Sequence, residues 1–451
     1  MNPLSTATPP EPLDPQSSRK KIWRVGTLTY TTAGLAILFG WLLWGDLAYQ
    51  LRERAFPPTL QLMLDHFKAK STTKGLLTVS LPALLIIILS PIISYVSDRH
   101  RGRWGRRIPY LLIITPISVL AMVGMAFAPH MTHSDDGIIA YLAAFSICFT
   151  ACDTICNLIF IALCNDVVPR EIVGQFFGLF RVISLGAGIY FNHYLLKTAQ
   201  QHSMAIFLVM AAIYGFGFTT MCLRVREGEY PPPEANAQNP WRATVRYIRD
   251  CCGHSFYRWI FLSTALAYMA FIPINGFVLY YATSINMDMG YYGNAASLQL
   301  LLSLIQAYPL GWLADKIHPL RLTVISLIMY TVATFISFKF IHGPDGIARA
   351  LVVVGVCSGW YLTANGPLFM RLFPKIEFAQ FCAAANIAAY TGTLLVGYLC
   401  GILLEANHKD YRYIYLWASV LGLLSLLATI VVYKKFLRLG GTRDYVAPGF
   451  S

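Results

Sequence analysis
The chain has 451 residues, 56% hydrophobic and only 13% charged, where an average soluble domain carries roughly 25% charged residues. That balance excludes a water-soluble globular protein. The formal net charge of +13 would suit nucleic acid, but the bases gather in short segments between apolar stretches, the pattern that orients membrane spans, so no nucleic-acid partner is expected.

Residues 1–24 are polar and proline-rich (Pro3, Pro9, Pro10, Pro12, Pro15) and read as a disordered cytoplasmic N-terminus. They lack the n-region and cleavage site of a signal peptide, so the first apolar stretch is expected to stay as a span. Crossing about 30 Å of hydrocarbon takes roughly 20 apolar residues. Twelve such stretches follow, at about 25–50, 74–97, 109–128, 138–164, 172–195, 203–223, 258–283, 293–314, 321–340, 347–370, 379–404 and 411–435.

After the second stretch comes Ser94-Tyr95-Val96-Ser97-Asp98-Arg99, and after the eighth Gly311-Trp312-Leu313-Ala314-Asp315-Lys316. Each is a small residue, three spacers, an aspartate and a base at a helix end. The recurrence implies two pseudo-symmetric six-helix halves, 25–223 and 258–435. That duplicated plan belongs to secondary transporters, with substrate at the midplane between the halves. The expected fold is all-α and integral to the membrane, with twelve transmembrane helices.

Residues 224–257 read as a cytoplasmic linker. It carries Pro231-Pro232-Pro233 and then a basic stretch in which Trp241, Val245 and Ile248 share a face, as in an amphipathic helix lying on an anionic leaflet. Residues 436–451 read as a cytoplasmic tail. With both termini inside, the predicted inner segments hold 24 of the 35 lysines and arginines and the outer segments 10, leaving Arg181 within a span. The excess supports N-in, C-in; the first outer loop, with Arg52, Arg54, Lys68, Lys70 and Lys74, is the weak spot. The ten cysteines fall in spans or on the inner side, so no disulfide framework is expected. Cys148, Cys152 and Cys156 stack on one helix face as small residues that ease packing, not as a metal site.

The loop after span two packs five arginines into nine positions, 99–107, and enters the next helix through Pro109, where a missing N–H costs nothing. Asp98, at the span end, can pair with an arginine of a neighbouring helix in one transport state and release it in the other. Asp98, Arg99, Arg103, Arg106 and Arg107, with Asp315 and Arg321 of the second copy, therefore read as a conformational latch.

The run Asp98…Arg103-Trp104-Gly105-Arg106-Arg107…Pro109-Tyr110 resembles the corresponding loop of the glycoside–pentoside–hexuronide cation symporters, the melibiose permease group of the major facilitator superfamily. The inner loop Asn165-Asp166-Val167-Val168-Pro169-Arg170-Glu171, leading into Gly174-Gln175-Phe176-Phe177-Gly178-Leu179-Phe180-Arg181, is similar to the same group and to its sucrose-transporter relatives. The resemblance covers about 25–435 and implies the major facilitator fold. In that group, acidic residues on spans one and four and an arginine on span five hold the sugar. By position these match Asp46, Asp153 and Arg181.

The residues themselves point the same way. Ionised groups inside spans are costly and by default functional, and carboxylates with a guanidinium fix hydroxyls by charge-assisted hydrogen bonds. Asp153 and Arg181 could instead simply neutralise each other. Aromatic candidates for the substrate face are Trp44, Tyr49, Tyr268, Trp360, Tyr361 and Tyr390; polar candidates are Asn157, Asn275, Gln306, Asn365 and Asn386. Gly366-Pro367 is expected to break or bend span ten.

Sodium-coupled members of the group carry acidic residues on span two, and 76–91 has none. A hard cation wants several oxygen ligands, whereas a proton needs one buried carboxylate, so the coupling ion is read as H⁺ on Asp153 or Asp46. No phosphate loop, HExxH or nucleophile elbow is present, and no enzyme activity, cofactor or metal is expected. The reading is a proton-coupled sugar or glycoside symporter in a bacterial inner membrane, acting as a monomer on a small-molecule substrate. A lysolipid or other amphiphile carrier and an uncoupled sugar facilitator are the alternatives.

Overall fold
The structure, a computed structural model, describes residues 23–25, 27–169, 172–229, 252–374 and 378–448. The chain opens with a short antiparallel ribbon, β1 (Trp23–Val25) on β2 (Leu28–Tyr30), with Trp23 opposite Tyr30. This replaces the expected start of span one at 25 and gives residues 23 and 24 structure where disorder was expected. Helix α1 (Thr32–His66) begins where Thr31 accepts a hydrogen bond from the Gly34 N–H at 3.1 Å, an ordinary N-cap.

The first half continues with α2 (71–99), which contains a π-helical turn at Leu76–Ser80, then α3 (Ile108–Met131) and α4 (Asp135–Val167). It ends with α5 (173–201), which has a π turn at Phe191–Leu195, and α6 (Ser203–Arg224). The second half is α7 (Ser255–Ser284), α8 (Met289–Ile317), α9 (Pro319–Phe340), α10 (Gly343–Leu372), α11 (Phe378–Ala406) and α12 (Tyr413–Arg438). Among the described residues, ten of these helices are long and apolar enough to cross a membrane, α5 and α8 being the two left out. Large apolar side chains stand exposed along the helices, among them Ile37, Leu120, Phe216 and Phe340. That suits a surface facing lipid.

The two halves repeat one packing scheme. In the first, α1 lies on α5 and α6, α3 on α4 and α6, and α2 on α4; six helices later α7 lies on α11 and α12, α9 on α10 and α12, and α8 on α10. The halves meet through α2 on α11, α5 on α8, and α1 on α7. At the α2–α11 crossing two glycines let the backbones touch: a Cβ on Gly75 would strike the Gly397 carbonyl. Beside them Ser80 Oγ donates to the Leu394 carbonyl at 2.7 Å. Both π turns lie on helices that cross between the halves, and π turns gather at functional places.

Several boundaries differ from expectation. Helix α1 runs about 16 residues past the predicted end of span one, through Pro57 and Pro58, so Arg52 and Arg54 belong to a helix and not to an outer loop. Lys74 likewise lies in α2. Helix α10 continues unbroken through Pro367 to Leu372. The chain after α12 packs back on its own half: Tyr445 Oη donates to the Leu372 carbonyl at 2.7 Å, and Tyr257 Oη to that of Pro448 at 2.8 Å. The expected amphipathic helix around Trp241 lies outside the described residues.

Candidate functional site
Arg52, Glu53 and Arg54 are consecutive on α1, and a helix turns each about 100° from the last. They therefore point three ways. Arg52 is fully buried and pairs with Asp153 of α4. Its guanidinium lies 4.5 Å from the centre of the Tyr49 ring, 4.9 Å from Phe149 and 4.4 Å from Tyr214. A buried charge is tolerable only when paired and surrounded by such partners. Arg54 turns to α5 and donates through Nη2 to Ser184 Oγ at 2.7 Å. Glu53 is exposed.

The predicted carboxylates sit differently. Asp153 keeps a partly exposed side chain beyond its bond to Arg52, so its partner is Arg52 and not Arg181. Arg181 is exposed on α5. Asp46 is sealed from solvent, with Gln50 Nε2 donating to Oδ1 at 3.1 Å and Oδ2 without a partner. Tyr49 is buried as a wall of the Arg52 box, and Trp44 donates to Thr220 of α6 at 3.2 Å. Asn157 is exposed one turn beyond Asp153.

In the second half Tyr268 of α7 lies beside Asn365 of α10 and Tyr390 of α11. The Asn365 Oδ1 is buried without a partner. Tyr268 also meets Tyr361 edge-on, ring centres 6.5 Å apart. Trp360 Nε1 donates to Gln306 of α8 at 2.8 Å. Asn275 and Asn386 are exposed on α7 and α11. All these groups fall near the middle of their helices, as do Arg52, Glu53 and Asp153.

The basic loop builds an assembly of contacts inside the first half. Arg106 grips Asp166, at the end of α4, through two bonds of 3.0 and 2.6 Å, and Arg107 adds one at 3.1 Å while reaching Ser97. The Glu227 carboxylate, just beyond α6, accepts from the Arg106, Arg107 and Ile108 N–H groups at 2.9, 2.8 and 2.7 Å, neutralising the start of α3. Gly105 takes φ 96° there, which suits glycine. Arg321 donates to Tyr433 at 3.2 Å, also within its own half. The side chains of Asp98 and Asp315 lie outside the described set.

Sequence reasoning missed Arg52, Glu53, Arg54, Asp166 and Glu227. Ending span one at 50 put the three α1 charges in a loop. The apolar run Leu60-Gln61-Leu62-Met63-Leu64 beyond the prolines was the signal that the helix continues.

Nearly all-helical, with many apolar helices in two six-helix sets that share one packing scheme, the molecule is a multi-pass membrane protein of transporter type. Residues 69–376 match the family described as MFS/sugar transport protein, and the chain belongs to that family. A stretch of 89 residues is 38% identical to an uncharacterized symporter of Synechocystis sp., covering 18% of this chain and 16% of that relative. The fold is similar to that of the nucleoside transporter NupG (TM-score 0.70, 13% identity, 88% of this chain and 100% of that one). It is also similar to a bacterial homolog of the human lysosomal transporter Spinster (TM-score 0.69, 13% identity, 92% and 98%).

Proposed function
We propose that the chain moves a sugar or glycoside across a bacterial inner membrane by alternating access, as a monomer with both termini cytoplasmic, and with a proton as the coupling ion. The observation that carries this reading is the mid-span polar assembly. Charged groups fall near the middle of α1 and α4, and a tyrosine, asparagine and tryptophan set falls near the middle of α7, α10 and α11. A polyol suits such a place, because charge-assisted hydrogen bonds fix its hydroxyls and aromatic faces take its apolar side. The family description points to sugar transport. A proton is favoured over sodium because α2 has no carboxylate in its membrane-spanning middle. Orientation follows from the bases: with Arg52, Arg54 and Lys74 inside helices, the predicted outer side loses three charges and the inner excess grows.

The test is uptake of labelled mono- and disaccharides into cells expressing the chain, at two external pH values, with Asp153→Asn alongside. Saturable uptake that rises at acid pH and is lost in the variant is expected. If no sugar enters at either pH and the variant behaves as wild type, the reading is overturned.

A further inference from the structure
Glu53 differs from the neighbouring mid-helix charges of α1 and α4. Asp153 is held by Arg52, Arg54 by Ser184, and Asp46 is sealed behind Gln50. The Glu53 carboxylate has no hydrogen-bond or ion-pair partner among the described residues, yet the residue is exposed. It lies 13 residues from the His66 end of α1, a depth of about 20 Å at the helical rise. A carboxylate at that depth cannot face lipid at tolerable cost. An exposed carboxylate that does not face lipid is placed by this argument on a space inside the molecule.

The charges acting on it are Asp153 of α4 and Arg52 and Arg54 of its own helix, with Asp46 two turns away on the same face. Helix α5, packed on α1, adds Arg181 and, towards its end, His193 and Lys197. Helices α6 and α7, also on α1, carry no charge between their end turns.

We propose that Glu53 is the group that takes up and releases the coupled proton, a step that deepens the symport reading and rests on it. The reaction is only protonation: one carboxylate oxygen gains H⁺ from water on one side of the membrane and returns it to water on the other. Of the carboxylates at this level, Asp153 is already neutralised by a guanidinium and Asp46 has no path to water while α1 is packed. Glu53 has both a free oxygen and a path. Coupling to a sugar follows from hydrogen-bond capacity. The ionised form only accepts, while the protonated form also donates. A polyol oxygen in need of a donor therefore binds the protonated state better, and by reciprocity the sugar favours protonation.

The experiment uses the full chain in liposomes, wild type beside Glu53→Gln, Asp153→Asn and Asp46→Asn. In Glu53→Gln, accumulation driven by a pH gradient is expected to fall at least about tenfold, a loss of about 1.4 kcal/mol of drive or more. Exchange of the same sugar across equal pH should lose its dependence on pH, and Glu53→Asp should restore that dependence. Infrared difference spectra on acidification should show a carboxyl C=O band in wild type, Asp153→Asn and Asp46→Asn that is missing from Glu53→Gln. A band that persists in Glu53→Gln overturns the assignment, as does gradient-driven accumulation at the wild-type level. A wild type that carries no sugar but shows the band, lost in Glu53→Gln, sinks the sugar reading and leaves the proton site standing.

Discussion

Arg52 shows how one residue can hold a membrane bundle together. Its charge is stabilised by Asp153 and by three ring faces contributed from α1, α4 and α6. Truncating one partner of a buried pair leaves the other charge uncompensated, at a cost of about 3–5 kcal/mol. Arg52→Ala should therefore lower the thermal unfolding midpoint in detergent markedly, whereas Arg181→Ala, at an exposed position, should change stability by no more than about 0.5 kcal/mol. Equal losses from the two variants would refute the placement. At this scale the sequence was half legible. The existence of mid-span charges was plain, but which charge meets which was not. Asp153 found its partner two residues beyond the point where the apolar count had ended the helix.

At the level of elements, the turn from α8 into α9 is built on His318. It sits at φ 76°, and its Nδ1 accepts from the Leu320 N–H at 3.2 Å, capping α9. Burial first, then Arg371 and Arg321, push this imidazole down to about 4. The folded state thus favours the neutral ring, while the unfolded chain takes up a proton below about 6.5. Between about pH 6.5 and 4 the unfolded state binds more protons, so stability falls as pH falls through that window. His318→Asn keeps a capping oxygen. It should flatten the acid limb of a thermal-stability profile, and an unchanged limb would show that the decline comes from other groups. The caps of α1 at Thr31 and of α4 at Ser134 use residue types whose role can be read from the sequence. A histidine cap at positive φ, or the Glu227 carboxylate on the start of α3, cannot be read so, because each needs a neighbour that only folding supplies.

Across the whole molecule, the halves close on each other at the α1–α2 end, where Gly75 and Gly397 let α2 and α11 touch. A side chain on Gly397 would meet Ser80 and Val79. Gly397→Val should therefore wedge this crossing and slow transport by about tenfold or more, with little change in thermal stability, since each half keeps its own core. Uptake at the wild-type rate would mean that the crossing is not part of the working cycle. The ion pair Lys197–Asp288, which also joins the halves, is 3.9 Å long and well exposed. Pairs of that kind contribute about 0–1 kcal/mol, so this pair adds little to closure beside the helix packing.

Composition, the lengths of the apolar stretches and the recurring aspartate–base signal determined the class, the helical fold and the division into halves. These depend on local properties: hydrocarbon thickness sets helix length, and water sets where bases collect. Tertiary structure alone decided that α1 carries its charges into the middle of the bundle, that Arg52 takes Asp153, and that Asp46 is shut away while Glu53 is left exposed. The reason is geometric. The direction of a side chain on a helix is fixed by its rotation relative to neighbours far away in sequence, and a shift of one residue turns it by about 100°.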